Sequence, residues 1–152
     1  MTEWSKTYGP LRVWCFVLAL YDEEELMIIQ ETWGRFCDKL LFVVDEKADQ
    51  NILQNEARDS KLDEIMPIKT RVADDGAKKK DLWEKVWKFF VELEQRYHGQ
   101  YDFILRADTD AWFSVNNFKS YAQYFDPNLS WNMGYTFFHC VCFHSFSVLR
   151  TL

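Results

Sequence analysis

The chain has 152 residues, enough for one domain that closes a single hydrophobic core. Apolar residues make up 48% and aromatic residues 18%, which excludes a disordered chain. A net charge of −6 argues against nucleic-acid binding, because little here would neutralise a run of phosphates.

Leu11 to Leu20 is rich in Val and aromatic residues and predicts a strand covered on both faces. Its apolar run, Val13 to Leu20, is closed off by Arg12 and Asp22. That is far short of the roughly 18 apolar residues a membrane span needs. The acidic turn Asp22 to Glu25 suits a helix start, where negative charge meets the positive end of the helix dipole. Leu26, Ile29, Trp33 and Phe36 come next at helical spacing, with Gly34 loosening the last turn. Lys39 to Val44 is a second short strand ending in Asp45. Strand, helix, strand at this spacing is the βαβ unit of a parallel sheet, with a right-handed crossover.

Glu46 to Glu64 is polar and predicts a helix or an irregular connection. Ile65 to Val72 holds a short strand that Pro67 confines to the sheet margin. Asp74 to Lys80 reads as a loop, and its basic run Lys78 to Lys80 as a solvated one, hemmed by Asp74, Asp75 and Asp81. Leu82, Val86, Phe90, Leu93 and Tyr97 line one face of a second helix, with Trp83 and Trp87 beside it and Gly99 as its stop. Tyr101 to Ala107 is a third strong strand running into Asp108-Thr109-Asp110. Ser114 caps a last helix with Phe118, Tyr121 and Phe125 on one face, closed by Asp126-Pro127. From Trp131 to Leu152 only Arg150 is charged, and neither periodicity is clean. The chain therefore divides into an α/β domain over 1–130 and an atypical tail over 131–152.

The chemistry gathers where the apolar Phe103-Ile104-Leu105 strand delivers two carboxylates one residue apart. In open α/β sheets ligands bind outside the carboxyl ends of the strands. With the backbone near-extended, Asp108 and Asp110 project to one side, because strand side chains alternate with period two. Two hard carboxylates suit magnesium or manganese, and a cation relieves the repulsion between them. It would also act as a Lewis acid toward a departing diphosphate. The four cysteines, Cys15, Cys37, Cys140 and Cys142, form no zinc pattern, and His139 and His144 read as incidental.

The segment Phe103-Ile104-Leu105-Arg106-Ala107-Asp108-Thr109-Asp110-Ala111-Trp112 resembles the metal-binding segment of the β-1,3-galactosyltransferase family. The likeness is greatest to the branch that extends O-linked N-acetylgalactosamine. Arg12-Val13-Trp14-Cys15 is similar to the family's first strand, and Leu82-Trp83-Glu84-Lys85 to its Leu-Trp-x-Lys helix start. Thr32-Trp33-Gly34-Arg35-Phe36-Cys37-Asp38-Lys39-Leu40-Leu41-Phe42 is similar to its Thr-Trp-Gly, Cys and Leu-Leu-Phe block. Asp126-Pro127 and Met133-Gly134 echo the family's sequence beyond its metal-binding segment, so the resemblance covers about residues 10 to 134.

This resemblance implies a GT-A fold, meaning a Rossmann-like, mostly parallel nucleotide-sugar-binding sheet, here incomplete at its C-terminus. It implies UDP-galactose as donor, manganese as cofactor, and inverting transfer to the 3-hydroxyl of O-linked N-acetylgalactosamine on a glycoprotein acceptor. Asp110 would ligate the metal directly, and Asp108 would bond the metal, its water shell or the ribose. Trp83, Lys85 and Arg106 join Asp108 in donor binding, with Lys85 facing the phosphates and Trp83 walling the pocket. A Cys15–Cys37 disulfide is implied as well, with two buried thiols as the alternative. Family members are type II Golgi membrane proteins, a location this chain takes from the resemblance without showing an anchor, and a homodimer is compatible with it.

There are departures. Ala19-Leu20-Tyr21 stands where the family has Thr-Ser-Pro near the uridine, and Thr109 replaces the middle of three aspartates. Nothing after Gly134 resembles the part that supplies the family's catalytic base, so the catalytic residue is unassigned and reduced or absent transfer is expected of a truncated chain. Two other readings compete. One is a non-catalytic nucleotide-sugar or protein-binding module. The other is a haloacid-dehalogenase-type phosphatase, disfavoured because its aspartate pair opens the fold and Trp112 holds the place of its Thr or Val.

Overall fold

The structure, a computed structural model, describes residues 10–19, 22–45, 64–70, 82–129, 131–132 and 147–148. Four strands, β1 (Val13–Leu18), β2 (Lys39–Asp45), β3 (Glu64–Ile68) and β4 (Phe103–Asp108), form an all-parallel sheet in the order β3-β2-β1-β4. Three helices accompany it among the described residues: α1 (Glu23–Glu31), α2 (Leu82–Tyr97) and α3 (Val115–Ala122). The chain is thus an α/β protein with a parallel sheet, as the strand–helix alternation predicts, and this sheet is compatible with a Rossmann-like fold.

Strand alternation divides the core into two layers. On one face Val13, Cys15 and Val17 of β1 join Phe42 of β2 and Phe103 and Leu105 of β4, beneath Leu26, Ile29 and Trp33 and the α3 residues Val115 and Ala122. On the other, Trp14, Phe16 and Leu18 meet Leu41, Val43, Met66 and Ile104 under Phe89 and Leu93 of α2. The Phe16 and Phe89 rings stack with centroids 4.1 Å apart, pinning α2 to the central strand. All six residues of β1 are buried, which is why that strand is continuously apolar.

Asp22 caps α1: its carboxylate accepts from the backbone N–H groups of Glu24 and Glu25 at 3.1 and 3.3 Å. The helix ends at Glu31, before the expected last turn. The Thr32 hydroxyl donates to the Ile28 carbonyl at 2.6 Å, and Gly34 opens a separate 3-10 turn, Gly34–Phe36. Trp33 is buried against the Phe113 ring, whereas Phe36, expected on the same face, is 40% exposed. Gly34 sits where a Cβ would lie 2.7 Å from Leu40 Cδ2 and 2.9 Å from the Ile29 carbonyl oxygen. The tight Thr-Trp-Gly sequence therefore serves packing. Cys37, just beyond, forms a disulfide with Cys15 of β1, which decides between the bridged and free-thiol alternatives.

Pro67 lies in β3 at the sheet margin, where a missing N–H costs least. Gly99 stops α2 with φ +73°. At the amino end of the sheet, Asp102 accepts from the Arg12 guanidinium at 2.9 and 3.2 Å and from the Arg12 backbone N–H at 2.8 Å. The hydrogen bond to Asp102 holds the Arg12 guanidinium charged above its ordinary range.

In both later helices most of the expected face packs against the core, with differences at its edges. In α2 the most deeply buried side chains are Lys85, Phe89 and Leu93, with Val86, Phe90 and Tyr97 flanking them. Trp83 and Trp87 are 77% and 60% exposed, since one apolar stripe cannot hold both sets. In α3 Phe118, and Phe125 just beyond the helix, pack against the core with the buried Val115 and Ala122, whereas Tyr121 is 55% exposed, and Ser114 precedes the helix without a side-chain capping bond. Of the connection expected over Glu46 to Glu64, Glu64 opens β3 and the rest lies outside the described residues, as does the loop expected over Asp74 to Lys80. Within the tail, β5 (Trp131–Asn132) pairs antiparallel with β6 (Ser147–Val148), and β6 lies beside β4. The rest of the tail, with His139, Cys140, Cys142 and His144, is outside the described residues. No helix among the described residues is long and apolar enough to cross a membrane.

Candidate functional site

The chain runs outward from β1 to β2 and β3, then returns through α2 to place β4 on the other side of β1. α1 and α3 cover one face and α2 the other. The order reverses between β1 and β4, and a doubly wound sheet opens its ligand crevice at the carboxyl ends of the two strands that flank such a reversal. Leu18, the last residue of β1, is in register with Asp108, the last of β4. Asp108 thus stands at the mouth of the crevice the topology creates.

Asp108 has the same strand parity as Ile104 and Arg106 and shares the α2 face. Its side chain keeps 38% of its surface, and Oδ1 lies 3.6 Å from Arg106 Nη2. This is a loose, partly solvated ion pair of small energetic weight. The structure therefore brings two of the anticipated donor-binding residues, Arg106 and Asp108, together.

Asp110 is placed differently from the extended-strand expectation. The strand ends at Asp108, and the Ala111 N–H donates to the Asp108 carbonyl at 3.1 Å, closing a turn through Thr109 and Asp110. Period-two alternation does not carry through a turn, so parity no longer fixes the direction of Asp110. Asp110 is exposed at the tip, and Trp112 just beyond is 73% exposed. Among the described residues, no three His, Cys, Asp or Glu side chains are grouped to hold a metal ion. Asp108 and Asp110 are the two carboxylates of this turn, and a magnesium-like cation takes one or two protein carboxylates and completes its shell with water and substrate phosphates.

Lys85 and Trp83 sit in the first turn of α2, at the carboxyl end of the sheet, but on different sides of the helix. Lys85 is only 3% exposed, and its Nζ donates to the Ala19 carbonyl, one residue past β1, at 3.3 Å. Trp83 faces outward and is 77% exposed.

One further carboxylate is not singled out by the sequence. Asp45, at the end of β2, is 1% exposed and accepts a hydrogen bond from the Thr70 hydroxyl, itself 2% exposed. The signal for it is an apolar strand ending in Asp, the same pattern that marks Asp108. Beside it, Lys88 Nζ reaches the Lys69 carbonyl at 2.6 Å and Glu84 at 2.8 Å, fastening α2 to the end of β3. Of the segment Ala19-Leu20-Tyr21, only Ala19 is among the described residues; its N–H donates to the Val43 carbonyl at 3.0 Å.

No protein-family model matches the chain.

Proposed function

We propose that this chain is the donor-binding part of an inverting, metal-dependent glycosyltransferase with a GT-A fold. Its proposed kinship is to the β-1,3-galactosyltransferases, nearest to glycoprotein-N-acetylgalactosamine 3-β-galactosyltransferase. The donor would be UDP-galactose and the acceptor the 3-hydroxyl of O-linked N-acetylgalactosamine on a glycoprotein. The observation that carries this reading is the position of Asp108 at the end of β4, in register with the end of β1 where the strand order reverses. Asp108 and Asp110 would hold manganese together with the donor diphosphate. The cation supplies Lewis-acid stabilisation of the charge that grows on the departing UDP. Arg106, within 3.6 Å of Asp108, adds a cation on the same face. The Cys15–Cys37 disulfide accords with an oxidising compartment such as the secretory pathway, and so with a Golgi location. The catalytic base stays unassigned.

The test is calorimetric titration of UDP into the purified chain with manganese, repeated with EDTA and with Asp110→Ala. Binding should require the metal and weaken by more than about tenfold in Asp110→Ala. Binding indifferent to both, or none under any condition, refutes the proposal. Metal-dependent UDP binding with no galactose transfer would leave the non-catalytic nucleotide-sugar module as the function.

A further inference from the structure

Lys85 is a buried cation in the first turn of α2, where a helix lysine would ordinarily extend into solvent. Burying an ammonium is costly unless hydrogen bonds replace its water, so a lysine held at 3% exposure must do something that a shorter or apolar side chain could not. Its Nζ donates to the carbonyl of Ala19, sixty-six positions earlier in the chain. Ala19 is the first residue past β1, and its own N–H is bonded to Val43 of β2. The peptide units flanking Ala19 are therefore gripped from two directions, by β2 through the N–H and by α2 through the carbonyl. One residue back, Leu18 is in register with Asp108. The point that Lys85 holds is thus the β1 wall of the crevice, whose β4 wall is Asp108.

We infer that Lys85 is a positioning residue for the nucleotide crevice, acting through the Ala19 carbonyl, and not a phosphate ligand. This rests on the nucleotide-binding reading above and deepens it, because it assigns the lysine of the Leu-Trp-x-Lys segment a different role from direct contact with the donor. An ammonium bonded to the Ala19 carbonyl beneath the helix fixes the end of β1. On the nucleotide-binding reading, that end borders the nucleoside and the diphosphate alike. Its loss should weaken every ligand that touches this wall by one common factor, whereas loss of a phosphate ligand weakens only ligands that carry phosphate.

The experiment compares wild type with Lys85→Met, which keeps the length of the stem and removes the donor. Two measurements are made below the melting temperature of both proteins: affinities for UDP and for uridine in the presence of manganese, and exchange of the Ala19 amide hydrogen. Positioning predicts that UDP and uridine weaken by the same factor, with their ratio unchanged. It also predicts Ala19 exchange faster by about tenfold, the scale of one lost hydrogen bond. Lys85→Arg, which retains a charged donor, should recover at least part of both. A loss confined to UDP would make Lys85 a phosphate ligand and overturn the inference. A lower melting temperature with both affinities and Ala19 exchange unchanged would make it merely structural and overturn it too. If wild type binds no UDP, the nucleotide reading fails by itself, and Ala19 exchange still reports whether Lys85 holds the end of β1. Should Lys85→Met not fold, Lys85→Arg against wild type carries the comparison, and unequal factors for UDP and uridine would refute the inference.

Discussion

Removing the Cys15–Cys37 disulfide should lower stability by about 3 kcal/mol, and the figure derives from where the bridge lies. The cysteines are 22 positions apart, so the bridge closes a loop holding α1 and the 3-10 turn. Restricting a loop of that length removes roughly 3.4 kcal/mol of denatured-state entropy on the chain-entropy account. Cys15 is fully buried between β1 and the α1 layer, so truncating it to Ala adds a small packing loss rather than relieving the effect. Urea unfolding followed by far-UV circular dichroism is the assay. With a slope near 2 kcal/mol per molar urea, the midpoint of Cys15→Ala/Cys37→Ala should fall by about 1.5 M. Dithiothreitol should shift wild type by a similar amount and leave the double variant where it is. Wild-type curves that coincide with and without reductant would refute the reasoning, as would two thiols titrating at Cys15 and Cys37 in the native, unreduced protein.

Phe89→Ala removes a ring that is fully buried and stacked on Phe16, and should cost about 3–5 kcal/mol; a loss below about 1 kcal/mol in urea would show that α2 is not fixed through that ring. At Gly34, a Cβ meets both a side-chain tip at 2.7 Å and the rigid Ile29 carbonyl at 2.9 Å. Gly34→Ala should therefore destabilise by about 1–3 kcal/mol through overpacking, against the usual gain from replacing glycine. A raised melting temperature for Gly34→Ala would overturn that account.

The strands and the existence of the helices are legible because each leaves a periodic or continuous apolar mark that burial demands. Val13 to Leu18 is apolar throughout since both of its faces are covered, and Asp22 announces α1 because only a few side chains cap a helix well. The helix faces are less legible. Reading the core stripe of α2 from its largest apolar residues puts Leu82 on the buried face with two tryptophans at its margin. The structure packs Val86, Phe90, Leu93 and Tyr97 as expected, but adds Lys85 and Phe89 at the centre of the stripe and leaves Trp83 and Trp87 in solvent. Periodicity fixes that one stripe is buried, but its phase is set by what the facing layer offers, here Phe16 and the Ala19 carbonyl. The candidate site is legible to the same degree. A strand ending in aspartate locates Asp108, while the turn after it changes where Asp110 can point. That turn is closed by a hydrogen bond from the Ala111 N–H to the Asp108 carbonyl, which no spacing rule reports.

Asp45 and Asp108 make the same point from a different side. Each ends an apolar strand, in Val43-Val44-Asp45 and Arg106-Ala107-Asp108, so local sequence treats them alike. Strand order separates them. β2 is flanked by β1 and β3, with no reversal at either side, and its terminal carboxylate is closed in with the Thr70 hydroxyl at 1% exposure. β4 stands across the reversal from β1, and its terminal carboxylate keeps 38% of its side-chain surface and, among the described residues, a loose partner in Arg106. A carboxylate already satisfied inside the protein gains little by taking up a cation, whereas one half in solvent with a neighbour at 3.6 Å can exchange that partner at small cost. The difference between an aspartate enclosed in the protein and one left half in solvent therefore lies in the order in which the strands are laid beside one another.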